Sequence, residues 1–181
     1  MRSHVLAMLA VLVGGAASAS ADDAKPDDAT PADKPSGDGI ARGTDKGTIG
    51  VGIVIGEPVG VCAKLYLADD QAIQGAVGSA FIGGGLQVHA DYVWHPYILQ
   101  KRDSFVLATY LGPGVRVIQY SEGRDASYVA LGLRAVGGLL FDFDNPLDAF
   151  IEVAGVFEYG FADGKGAGLA LNAGAGVRYY F

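Results

Sequence analysis

The sequence predicts an all-β protein, an eight-stranded antiparallel up-and-down transmembrane β-barrel with a disordered N-terminal segment. Three observations predict it. From Gly47 onward apolar and polar residues alternate with period two, the pattern of strands with two unlike faces. Seven turn clusters cut this stretch into eight segments and leave no room for a helical crossover, so neighbouring strands must run antiparallel. One register is aliphatic, while the other holds charges spaced by glycine and alanine.

Composition narrows the class. The chain has 181 residues, 50% of them hydrophobic and 18% charged, with 28 glycines. That is enough for one domain with a real core. Mean hydropathy is +0.28, yet no charge-free apolar run reaches the ~18–20 residues of a spanning helix. A net charge of −7 argues against nucleic acid as partner, because phosphate binding needs a basic face. The single cysteine, Cys62, forms no internal disulfide and excludes a cysteine-rich zinc site.

Residues 1–21 read as a secretory signal. Arg2 opens the segment, Val5 to Val13 is unbroken apolar sequence, and Ala19-Ser20-Ala21 is a small-residue cleavage site before Asp22. Residues 22–46 form an acidic linker with Pro26, Pro31 and Pro35 and one large aliphatic side chain, Ile40. Such a segment buries too little apolar surface to offset its ordering entropy and is expected to be disordered.

Residues 47–181 form the barrel. The alternation places strands at Thr48–Gly56, Gly60–Ala68, Ala72–Ile82, Leu86–His95, Ser104–Tyr120, Ser127–Phe141, Ala149–Gly160 and Gly168–Phe181. Between them stand turn signals, among them Gly56-Glu57-Pro58, Asp69-Asp70, Gly83-Gly84-Gly85 and Asp144-Asn145-Pro146. The His95–Asp103 connection, on the side of the chain termini, reads as longer than the connections at the far end.

One register carries Ile49, Val51, Ile53 and Ile55, then Val61, Leu65 and Leu67, and later Leu131, Leu133, Leu169 and Leu171. The other carries Lys64, His89, Asp91, Arg116, Arg134, Glu152, Glu158, Asn172 and Arg178, together with Gln74 and Gln87. A soluble barrel puts the aliphatic set inside, and a transmembrane barrel puts it against lipid. The charged face is too sparse for a solvated exterior, and its small residues leave room for long arginine and glutamate side chains. Aromatic residues also sort by height. Tyr66, Trp94, Tyr97, Phe105, Phe141, Phe143, Phe150, Tyr179 and Phe181 fall near one rim, and Phe81, Tyr120, Tyr128, Phe157, Tyr159 and Phe161 near the other. Two aromatic girdles are expected at two membrane interfaces.

The last strand places Val177, Tyr179 and Phe181 on one face. This resembles the terminal signal of bacterial outer-membrane barrels, which implies recognition by the barrel-assembly machinery. A wider resemblance rests on Gly56-Glu57-Pro58-x-Gly60-x-x-x-Lys64, His89-Ala90-Asp91-Tyr92-x-Trp94-His95 and Asn172-Ala173-Gly174-x-Gly176-x-Arg178-Tyr179-Tyr180-Phe181. These segments look like those of a family of small outer-membrane barrels, with the general shape of the OmpA transmembrane domain and OmpX. The resemblance implies an outer-membrane location in a Gram-negative bacterium, with the N-terminal linker in the periplasm and membrane lipid as partner. It implies no activity.

No cofactor and no catalysis are expected. The Gly164-Lys165-Gly166 run lacks the Ser/Thr and helix of a phosphate loop. His89 and Asp91 share a face, but position 91 lacks the serine that barrel lipid A deacylases carry there, and His95 lies roughly 20 Å along the strand, too far to complete a metal site. Hydrogen bonding inside the barrel accounts for them. The expected role is structural or a minor envelope function with a closed polar lumen. The alternative is a periplasmic lipocalin-like barrel that holds a small apolar ligand against an inward aliphatic face.

Overall fold

The computed structural model describes residues 46–81, 84–122 and 126–181. The expected signal segment and the linker up to residue 45 lie outside the described residues. The strands are β1 (Ile49–Gly56), β2 (Val59–Ala68), β3 (Gln71–Ser79), β4 (Leu86–Arg102), β5 (Phe105–Glu122), β6 (Ala126–Phe143), β7 (Leu147–Gly160) and β8 (Ala167–Tyr180). They form one closed antiparallel barrel in chain order, with β8 paired to β1. This is the expected eight-stranded up-and-down architecture.

Strand pairing sets the tilt. Paired residues lead from Gly50 through Lys64, Gln74, Asp91, Gly114, Arg134 and Val156 to Ala170. Ala170 lies beyond Gly174, the partner of Gly56, so one circuit climbs about ten residues, from Gly50 to Gly56 and from Gly174 on to Ala170. With eight strands, a stagger of that size tilts each strand by roughly 40° from the barrel axis.

Most element bounds fall within two residues of expectation; the ends of β3 and β4 are the exceptions. The alternation ends at His95, but the strand runs on to Arg102, so the expected long connection shrinks to Asp103-Ser104. Two bulges, between Trp94 and Tyr97 and between Ile98 and Gln100, shift the register and hide the continuation from a period-two reading. Pro96 sits in this stretch. It falls inside the first bulge, where the ladder to β5 is already interrupted and a missing N–H costs no regular pairing. The third strand ends at Ser79, short of Ile82, which lies outside the described residues. Lys46, placed in the linker by composition, is tied to the barrel: its Nζ donates to Asp142 and, at 2.8 Å, to the Leu147 carbonyl.

The two registers face as period two requires. Ile53, Val61, Leu133, Val153, Leu169 and Leu171 lie on the outside. Lys64, Gln74, Asp91, Arg116, Arg134 and Arg178 are buried inside, with Tyr110, Leu140, Val136 and Ala154 packed between them. Glycine makes the space for these long side chains. A Cβ on Gly114 would stand 1.9 Å from Asp91 Oδ1, and one on Gly138 would stand 2.5 Å from Cζ of Tyr110.

The aromatic rings need a correction. Tyr66 and Phe150 are buried inside the barrel, and Tyr120 and Tyr128 pack against its inner Ala80–Ile118–Ala130 cluster. Height along the chain cannot show this, whereas parity can. Tyr66 follows Lys64 by two residues and Phe150 precedes Glu152 by two, so both share the charged face. The most exposed outward aromatics are Trp94, Tyr97, Tyr179 and Phe181 near the terminal end, and Phe81, Phe157, Tyr159 and Phe161 near the other.

Candidate functional site

The polar interior is built from seven of the eight strands, because β1 offers only glycines and Val54 on its inner face. At the terminal end Arg178 donates through Nε to both oxygens of Asp148, at 3.0 and 3.3 Å. Its guanidinium lies 4.2 Å from the Phe150 ring centroid. The Tyr180 hydroxyl donates to the same Asp148 at 2.5 Å. Beside this pair, Lys64 Nζ lies 2.8 Å from His95 Nε2 and over the rings of Tyr66 and Tyr110, at 4.6 and 5.2 Å. An ammonium has only hydrogens to give. It therefore donates to Nε2, which leaves the His95 Nδ1–H to donate to the Asp70 carbonyl at 3.1 Å.

The middle layer centres on Arg134. Its Nε–H is shared between the two Asp91 oxygens at 3.0 and 3.1 Å, Nη2 donates to Glu152 at 2.6 Å, and Nη1 donates to Asn172 at 3.1 Å. Glu152 accepts further hydrogen bonds from Gln74 at 3.0 Å and Tyr110 at 2.8 Å. In the far layer Arg116 pairs with Glu158 and donates to the Tyr120 hydroxyl and to Asn172, both at 3.1 Å. Asn172 Oδ1 thus joins the two layers. Tyr120 in turn donates to Glu158 at 2.8 Å.

Four cations, Lys64, Arg116, Arg134 and Arg178, face four carboxylates, Asp91, Asp148, Glu152 and Glu158. These charges balance only in sum, with one cation in excess in the terminal layer and one carboxylate in excess in the middle layer, and their side chains project into the bore. Such pairing is what makes buried charge tolerable, since an uncompensated buried ion is costly.

All nine residues singled out from sequence lie inside, Glu158 less deeply than the rest. The sequence reading missed Asp148, the carboxylate of Arg178, because it began the seventh strand at Ala149. Parity would have found it, since Asp148 and Glu152 are four residues apart on one face. The same reading found no third group near His89 and Asp91. The fold supplies one from β7: ligand atoms of His89, Asp91 and Glu152 lie within 4.8 Å of one another. Both carboxylates of this trio are already bonded to Arg134, so a cation placed there would stand against a guanidinium. The arrangement fits an ion-pair network better than a metal centre. Cys62 is buried on the same inner face.

No family model, curated protein or solved structure matches the chain.

Proposed function

We propose that this chain is a Gram-negative outer-membrane β-barrel with a closed polar interior and a structural or minor envelope role. One observation carries the reading: the aliphatic face is outside and the charges are inside. Leu133, Leu169 and Leu171 are 68%, 85% and 70% exposed, while Arg116, Arg134 and Arg178 are 2–3% exposed. Soluble monomers rarely expose apolar patches beyond a few hundred Å², and this one encircles the molecule. In hydrocarbon the same surface is in its proper solvent, and a closed barrel leaves no unpaired strand edge around the belt.

The belt also has a suitable height. Leu147, the partner of Tyr179, and Phe157 are ten residues apart on β7. At ~3.3 Å per residue and a tilt of roughly 40°, the two outward aromatic levels are about 25 Å apart. That is the height of the apolar band of outer-membrane barrels. The lipocalin-like alternative needs the aliphatic register inside, where this barrel holds its ion pairs. In the proposed reading, residues 1–21 direct export, residues 22–46 lie in the periplasm, and the outward Val177, Tyr179 and Phe181 of the last strand are read by the barrel-assembly machinery.

Membrane fractionation followed by gel electrophoresis tests this. The protein should pellet with outer membranes and migrate differently before and after boiling. Recovery in the periplasmic fraction, with one mobility, would overturn the proposal.

A further inference from the structure

The barrel wall is level at one end and uneven at the other. Near the termini ladder partners differ in height by about 3 Å per tilted strand, so Leu67, two residues beyond the partner of Ile49, and Leu147, reached from Val51 through Tyr179, stand at nearly one level. From that level β2 carries its outward apolar side chains only from Leu67 to Val59, eight residues, whereas β7 carries them from Leu147 to Tyr159, twelve residues. At about 2.5 Å of height per tilted residue, the belt is about 20 Å tall on β2 and about 30 Å on β7.

The two far-end turns differ in chemistry as well as in height. In the low turn, the Glu57 N–H donates to the Ala173 carbonyl at 2.8 Å, and the Glu57 carbonyl accepts from Gln87 Nε2 at 3.4 Å. The Glu57 carboxylate is folded inward, where it accepts the Phe81 N–H at 2.9 Å. Pro58 has no N–H and is buried, and the next side chain, Val59, is apolar and exposed. In the tall turn, Phe161–Gly166, Asp163 and Lys165 stand exposed. The tall turn is made for water. The low one presents no charged side chain to its surroundings.

We propose that the β1–β2 turn is submerged: acyl chains of the distal leaflet cover it, about 10 Å below the level of Tyr159. This rests on the transmembrane reading and adds to it a lipid-contacting surface at the rim. Unsatisfied backbone groups are strongly disfavoured in hydrocarbon, and in the low turn the N–H, carbonyl and carboxylate of Glu57 are all engaged by the barrel.

Nitroxide labels in a Cys62→Ala background test it, in vesicles of dimyristoyl phosphatidylcholine. Labels go at Val59→Cys, at Tyr159→Cys, at Lys165→Cys as the aqueous control and at Val153→Cys as the mid-belt control. Ile55→Cys serves as a second label on the low wall should the Val59 variant not fold. Submersion predicts that the label at 59 relaxes with dissolved oxygen, is shielded from a water-soluble nickel chelate, and lies deeper than the label at 159. Nickel access at 59 matching that at 165, or equal depths at 59 and 159, would overturn the proposal while leaving the barrel in the membrane. Nickel access at 153 would instead remove the transmembrane reading itself.

Discussion

Replacing Arg134 by methionine should be among the most damaging single changes in the barrel. The side chain is 1% exposed and holds both Asp91 and Glu152 while also bonding Asn172. Methionine restores much of the volume but none of the charge, so two buried carboxylates lose their shared cation. Glu152 keeps Gln74 and Tyr110 as donors, whereas beside Asp91 stands the His89 ring, with Nε2 at 3.9 Å, beyond hydrogen-bond distance. Removing one partner of a buried ion pair typically costs ~3–5 kcal/mol. The triple variant Arg134→Met, Asp91→Asn, Glu152→Gln removes the charges together and should recover most of that loss, because uncharged side chains leave no unmatched buried ion. Urea unfolding from lipid vesicles, followed by Trp94 fluorescence and by the gel shift of the folded form, measures both. A single variant within ~1 kcal/mol of wild type would refute the view of the interior as a mutually dependent ion network. So would a triple variant no more stable than the single one.

Gly114→Ala drives a Cβ to 1.9 Å from Asp91 Oδ1 and should cost about 1–3 kcal/mol in the same unfolding assay, whereas Gly155→Ala meets nothing within 4 Å and should be close to neutral. Val153, opposite Gly137 and Ala173 near mid-belt, should lose ~2–4 kcal/mol on replacement by arginine, whereas Leu131, which pairs with Tyr159 at the far aromatic level, should lose ~1 kcal/mol or less. The purified protein should form no stable nanosiemens channel in planar bilayers, because paired side chains occupy the bore, and such a channel would contradict a closed lumen. Deleting Phe181, which is 74% exposed and contacts Tyr179 edge-on, should lower membrane levels more than the stability of the folded barrel, as pulse-labelled fractionation and urea unfolding together would show.

The parity of apolar and charged residues made most of this molecule legible before any coordinates. Lys64, Arg116, Arg134 and Arg178 all stand inside because period two admits only two faces, and their number marks that face. What parity could not carry was partner choice. Arg134 on β6 meets Asp91 on β4, a strand with which β6 shares no ladder, and only closure and tilt bring them together. Bulges defeated the reading for the same reason it worked elsewhere: an extra residue at Trp94–Tyr97 resets the alternation, so Tyr97 to Arg102 looked like loop. Position along a strand does not give depth either, since the stagger sets Leu131, well inside β6, opposite Tyr159 near the far end of β7. The aromatics misplaced in the outer girdles, such as Tyr66 and Tyr120, were sorted by height without their parity. Their inward position lets them serve the network, as Tyr120 does between Arg116 and Glu158.

A nitroxide scan along β7 from Ile151 to Phe157, in lipid bilayers, tests the central claim most directly. The outward positions 151, 153, 155 and 157 should relax strongly with dissolved oxygen and weakly with a water-soluble nickel chelate. The inward positions 152, 154 and 156 should be shielded from both. A period-two pattern in which the outward positions favour the nickel chelate, or a protein that does not associate with bilayers at all, would contradict a barrel whose aliphatic face meets lipid.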